Sequence, residues 1–223
     1  MVQKFKKKKS RKSIFITFLL IAGITFFVCK YIVIPENSNI LEEEYGNKIL
    51  PNLSSDTIPK PSVSISSDKL SSSNAILIRL DDCAVLMQKN SEERIYPASL
   101  TKIMTAIVAI ENLPDLKEEI KLTDSMFQGL YEADASMAGF QPGERVRVID
   151  LLYGAILPSG AECCIGLAER IAGSERNFVE MMNQKAKELG MNNTHFENST
   201  GLHDENHYTT VKDLSVLLSY ALQ

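Results

Sequence analysis

Residues 96–112 read YPASLTKIMTAIVAIEN. From Leu100 to Ile110 every residue is apolar, Ala or Thr, except Lys102. A surface helix carries a polar face at helical spacing, whereas a helix apolar on all sides is a buried central one. The segment Ser99–Asn112 is therefore expected to run through the middle of a domain and to stop at Pro114. Lys102 is the anomaly in it. An ammonium on a helix buried all round is costly unless it is paired or neutral. Ser99 lies three residues earlier, on the same face. Desolvation lowers a Lys pKa, and a neutral amine can take the proton of a Ser hydroxyl. The helix N-terminus favours negative charge developing near that Ser. The spacing alone is a weak signal. Ser66 and Lys69 repeat it where no apolar helix follows, and a Ser at a helix start is also an ordinary N-cap whose Lys neighbour can reach solvent.

Working outward, Ala75–Leu80 and Cys83–Gln88 flank Asp81-Asp82 and predict a β-hairpin. Residues 115–148 are mixed, with a Pro142-Gly143 turn before Val146 and Val148. Asp150–Leu157 predicts a short apolar helix stopped by Pro158-Ser159-Gly160. Further helices are expected at Glu162–Ala172, at Asn177–Leu189 capped by Ser174, and at Val211–Leu222 with Thr210 and Asp213 as a capping box. Thr194–Glu197 is a candidate strand. The fold class expected is α+β, one antiparallel sheet with a helical region over residues 73–223.

The charge is uneven. Of the 24 basic residues eight fall within 1–30, where there is no acid, and the other 16 face all 28 acids. A nucleic-acid partner is not indicated, because the positive charge avoids the folded part. Residues 1–13 form a basic tail. Residues 14–34 then form an apolar run interrupted by Lys30, about the ~20 residues that cross a bilayer as a helix. Basic residues before it and Glu36, Glu42, Glu43 and Glu44 after it predict a retained, single-pass signal anchor with its N-terminus in the cytoplasm. Bulky Phe26, Phe27 and Val28 argue against signal cleavage. Residues 35–72, rich in Ser, Pro, Asn and Glu, predict a disordered tether spanning about 30–35 Å as a coil. The domain after it is expected outside the membrane. Cys29 lies in the apolar run, which leaves Cys83, Cys163 and Cys164, an odd number that argues against a disulfide framework.

Three segments carry a resemblance to a known family: YPASLTKIMTA (96–106), LLYGAILPSGAECC (151–164) and NSTGLHDENHYTTVKDL (198–214). In this order the chain resembles the serine D-alanyl-D-alanine carboxypeptidases, the low-molecular-weight penicillin-binding proteins of the β-lactamase-like superfamily. The resemblance implies that Ser99 is the acylated nucleophile, Lys102 its general base and Ser159 a proton-transfer residue for the leaving group. It implies release of the terminal D-alanine from peptidoglycan stem peptides, covalent inhibition by β-lactams, and no cofactor or metal. Two departures stand out. Where the family has the Asn of its Ser-x-Asn element this chain has Ala161, and no Lys-Thr-Gly follows residue 200. The expectation is a piece of a longer gene product. A non-catalytic cell-wall-binding relative is the alternative, and a β-lactamase a weaker one, since no Glu-rich loop between 165 and 190 supplies its water-activating Glu. His203, His207, Asp204 and Glu205 could suggest a metal loop, but Gly201 and Asn206 predict a turn.

Overall fold

The computed structural model describes residues 66–67 and 69–223. The basic tail, the expected membrane span and most of the tether lie outside the described residues. Within them, no helix is long and apolar enough to cross a membrane.

The hairpin is present. Strand β1 (Ala75–Ile78) pairs antiparallel with β2 (Val85–Lys89), with a register shift between Leu77 and Ile78. Cys83 belongs to the turn rather than to the second strand, with a left-handed φ of 57°. Asp82 shapes that turn, accepting the Ala84 N–H at 3.2 Å and pairing with Arg79 at 2.6 Å.

A single 3-10 turn, Ala98–Leu100, leads into helix α1 (Thr101–Asn112). The helix ends at Leu113, whose extended backbone is what the residue before a proline prefers. Helices α2 (Val148–Ile156), α3 (Ala161–Ala172), α4 (Glu175–Glu188) and α5 (Val211–Ala221) follow, each within two residues of its predicted bounds. The predicted caps form: Ser174 Oγ accepts the Asn177 N–H at 3.2 Å, and Thr210 Oγ1 accepts the Asp213 N–H at 3.0 Å.

The sheet differs from the expectation of one antiparallel sheet. A second, separate pair forms between β3 (Glu119–Lys121) and β4 (Arg145–Arg147), with Ile120 opposite Val146. Each strand buries only its middle residue. Three residues with one buried position are too short to show a period of two in sequence. The candidate strand 194–197 reduces to one antiparallel bridge, His195 to Tyr208. A neighbouring bridge joins Thr209 to Ile95, just before the 3-10 turn.

Helix α1 is apolar on opposite sides because it separates two cores. Ala106 and Ala109 pack with Leu122, Phe127, Leu151, Cys163 and Leu167. Met104, Ile107 and Val108 pack with Phe178, Met182, Phe196 and Leu217. Two apolar positions escape this burial: Leu100 is 49% and Ile110 56% exposed. Leu100 and Ile103, with β1 and α5, line an open apolar groove of about 520 Å3.

Candidate active site

The fold brings Ser99, Lys102 and Ser159 together. Ser99 sits in the 3-10 turn, Lys102 in the first turn of α1, and Ser159 in the loop between α2 and α3. Lys102 Nζ lies 3.3 Å from Ser99 Oγ and 3.0 Å from Ser159 Oγ, and Ser159 Oγ lies 3.0 Å from Ser99 Oγ. The three groups close a hydrogen-bonded ring. Ser99 is exposed, while Lys102 is 4% exposed and does not reach solvent. The hydroxyl is open to a substrate and the amine beneath it is not.

Burial pulls the Lys102 pKa below the ordinary Lys value, with Cys164, Glu162 and Cys163 opposing it. Burial also pushes the Cys164 thiol up to about 12 and raises Cys163 as well, so neither is charged at neutral pH.

The backbone beside both hydroxyls is unusual. Ala98 has φ 47° and Ser159 φ 64°, left-handed values uncommon for residues with a Cβ. Such conformations persist where neighbouring structure holds them. Around Ser159 that structure is close packing: the Gly160 N–H donates to Gly154 O at 2.8 Å, and the Ala161 N–H to Ser136 O at 2.8 Å.

Under Ser99 the support comes from residues 198–209. Asn198 Oδ1 accepts from Thr200 N, Thr200 Oγ1 and Gly201 N at 3.2, 3.0 and 2.7 Å. This turn presses Gly201, with φ 83°, against Ala98, where an added Cβ would stand 1.9 Å from the Ala98 carbonyl oxygen. Ser199 is pinned on both sides, its N–H and hydroxyl donating to Glu175 Oε1 and its carbonyl accepting from Thr105 Oγ1 at 2.7 Å. His207 is 2% exposed. Its Nδ1 accepts the Glu197 N–H at 3.2 Å, so Nε2 carries the hydrogen and donates to Thr101 Oγ1 at 2.7 Å.

These contacts divide the His-Asp-Glu group of 203–207. His207 uses both ring nitrogens on protein groups, His203 packs edge-on against Tyr96 at 4.6 Å, and Asp204 accepts the Asn206 N–H at 2.7 Å. Among the described residues no group of three or more His, Cys, Asp or Glu is placed to hold a metal ion.

Ala161 begins α3 with 1% exposure and offers only a methyl to the site. Glu162 beside it is fully buried, and its Oε1 accepts the N–H groups of Ala138 and Gly139 at 2.8 and 2.9 Å. Residue-level reading of the sequence passes over Thr101 and Asn198 as site-forming residues, takes Gly201 only as a turn signal and leaves Glu162, beside Ala161, without a role. Glu162 had one visible signal, an acid in the first turn of an otherwise apolar helix segment.

A family model described as D-alanyl-D-alanine carboxypeptidase, Peptidase S11, matches residues 61–223. The chain is 44% identical over 154 residues to the D-alanyl-D-alanine carboxypeptidase DacF of Bacillus subtilis (strain 168), covering 67% of this chain and 39% of that protein. It is 39% identical over 144 residues to DacC of Escherichia coli (strain K12), covering 60% of this chain and 35% of the relative. Among solved structures, penicillin binding protein 6B from Escherichia coli superposes with a TM-score of 0.68 at 28% identity, covering 74% of this chain and 54% of that one. A mutant of the Streptomyces K15 DD-transpeptidase gives 0.66 at 29%, covering 69% and 62%. The chain thus spans well under half the length of these curated relatives. The three segments, the fold that unites them and these likenesses agree: the chain belongs to the D-alanyl-D-alanine carboxypeptidase family, peptidase S11.

Proposed function

We propose that this chain carries the acylating centre of a serine D-Ala-D-Ala carboxypeptidase that trims peptidoglycan stem peptides. The observation behind this is the closed ring of Ser99, Lys102 and Ser159 around an amine shielded from water. Neutral Lys102 Nζ takes the Ser99 proton as Oγ attacks the carbonyl of the penultimate D-alanine. The Ser99 backbone N–H supplies one half of an oxyanion hole. As the tetrahedral intermediate collapses, the C–N bond breaks and a proton passes from the Lys102–Ser159 pair to the departing amine. Water then hydrolyses the acyl-enzyme. β-Lactams acylate the same Oγ. No metal or organic cofactor enters these steps.

The test is covalent labelling of the 223-residue protein by a fluorescent penicillin, with the adduct located by mass spectrometry. Labelling at Ser99 that vanishes in Ser99→Ala supports the reading, and labelling that survives that change removes Ser99 from it. The buried methyl of Ala161 favours one second reading, a wall-binding protein without turnover. It predicts retention on purified peptidoglycan with no D-alanine released, so measured release rejects it.

The reading extends to the N-terminal region, where residues 14–34 serve as a single-pass anchor, 35–72 as a tether, and the domain from 73 faces the wall. Its support is the basic run before an apolar stretch of sufficient length whose one charge, Lys30, lies near its outer end. Extraction of the protein from membranes by carbonate alone would remove the anchor.

A further inference from the structure

Glu162 poses a problem that the three reactive residues do not solve. Its carboxylate is fully buried. Oε1 is satisfied by two backbone N–H groups, whereas Oε2 is buried with no hydrogen-bond partner. Buried polar atoms are nearly always paired, so an orphan of this kind calls for a physical reason.

Once it has taken the Ser99 proton, Lys102 carries the complementary deficit. An ammonium has three donors. The acceptors around Nζ are Ser99 Oγ and Ser159 Oγ, which leaves one N–H over. Where the family resemblance expects an amide to reach this Lys, Ala161 offers none. We infer that Glu162 is the counter-charge of Lys102, a positioning residue that stabilises the ammonium formed when Lys102 takes the Ser99 proton. It compensates for the amide that Ala161 lacks. Glu162 stands three residues beyond Ser159, whose Oγ is 3.0 Å from Nζ, and acts on the amine through space, without a direct ion pair. The step balances on the two reacting groups: the Ser99 O–H bond breaks and the new N–H forms on Lys102.

The surrounding charges agree. Three side chains raise the affinity of Lys102 for its proton against burial: Cys164, Glu162 and Cys163. Both thiols are neutral at working pH because burial raises them far above it. Glu175, from α4, acts on Cys164 and spends its Oε1 on Ser199. Of the three side chains acting on Lys102, Glu162 is the carboxylate. Its second task is mechanical. With Oε1 it clamps residues 138–139 to the start of α3, where Ala138 packs against Gly160.

This inference rests on the reading of Lys102 as the base, so its test needs a readout that does not depend on turnover. Glu162→Gln keeps the acceptor for Ala138 and Gly139 and removes the charge. The titration of Lys102 is followed by NMR of 13C,15N-lysine in the substrate-free 223-residue protein, with the signal assigned through Lys102→Arg. We expect the midpoint in Glu162→Gln to fall by about one pH unit. The acid limb of penicillin acylation should move down with it. In an Ala161→Asn background the same change should produce a smaller shift, because the amide shares the load. A folded Glu162→Gln protein with an unmoved Lys102 midpoint overturns the inference. So does a uniform loss of acylation rate with no shift of the limb, which would make Glu162 a clamp alone. Failure of the parent protein to acylate would sink the peptidase reading, and the Lys102 titration would still decide this pair.

Discussion

The His207 imidazole donates from Nε2 to Thr101 Oγ1 over 2.7 Å, which ties the third sequence segment to the turn of α1 that carries Lys102. Both partners are buried. The ring also accepts a backbone N–H at Nδ1. A protonated imidazole could not accept there, and burial lowers the His207 pKa to about 4. Asp204 and Glu197 oppose that fall, while His195 and His203 reinforce it.

The folded protein therefore holds His207 neutral while the unfolded chain titrates near the ordinary value of about 6.5. Between those two values the unfolded state binds a proton that the folded state refuses, so this group's contribution to stability is full above about 6.5 and declines as pH falls toward 4. Urea unfolding from pH 8 to pH 4 should show that decline in the parent protein and a flatter profile in His207→Gln. Gln keeps an acceptor for Glu197 and a donor for Thr101, so His207→Gln should acylate faster than His207→Ala. Equal pH profiles in parent and Gln variant would assign the decline to other groups.

Gly201→Ala should be severe. The new Cβ would meet the Ala98 carbonyl at 1.9 Å, and the backbone is left-handed at 83°. A methyl against backbone cannot be relieved by a rotamer change. The Ala98–Ser99 turn must move, at a cost above about 1 kcal/mol in stability. Thermal unfolding and penicillin acylation should both suffer, with the rate falling further than the melting temperature alone accounts for.

Ser159→Ala should leave the fold intact and slow acylation by about 100-fold, the lower range for loss of a positioned proton-transfer group. Lys102→Met should abolish acylation while filling most of the same volume. Stopped-flow acylation with a chromogenic β-lactam separates them. A Ser159→Ala protein at parental rate would reduce Ser159 to a bystander.

Gly154 makes a different prediction. Replacing a helical Gly by Ala ordinarily stabilises. Here the added Cβ would stand 2.6 Å from Cys163 Sγ and 3.1 Å from the Phe140 ring. Gly154→Ala should therefore destabilise, and Cys163→Ala should recover part of the loss. Chemical denaturation of the two single variants and the double variant measures that coupling.

Much of this was legible in the chain. The helices were written in apolar spacing, in Ser174 and Thr210 as caps, and in Pro114 and Pro158-Ser159-Gly160 as stops. Lys102 marked the centre as the one charge in the apolar run from Leu100 to Ile110, and the three family segments, rather than its spacing from Ser99, gave it that meaning. The β3–β4 pair was not legible, since a strand with one buried residue has no alternation to read. Nor were the contacts that set the nucleophile's geometry. Gly201 against Ala98 spans 103 positions and His207 against Thr101 spans 106, and local pattern carries no information on such pairs. The start of α1 shifted from Ser99 to Thr101 for a local reason: Ser99 makes no capping bond and occupies a 3-10 turn, which turns its hydroxyl toward Lys102 and Ser159.

The paired cysteines of α3 have a practical corollary. Cys163 and Cys164 are wholly enclosed, whereas Cys83 sits partly open in the hairpin turn. Among the cysteines of the described residues, an alkylating reagent such as iodoacetamide meets Cys83 in the native protein and reaches Cys163 and Cys164 when α3 comes away from its neighbours. Counting alkylated sites over time would turn this molecule into its own reporter of local opening, read at the helix that frames the reactive serines.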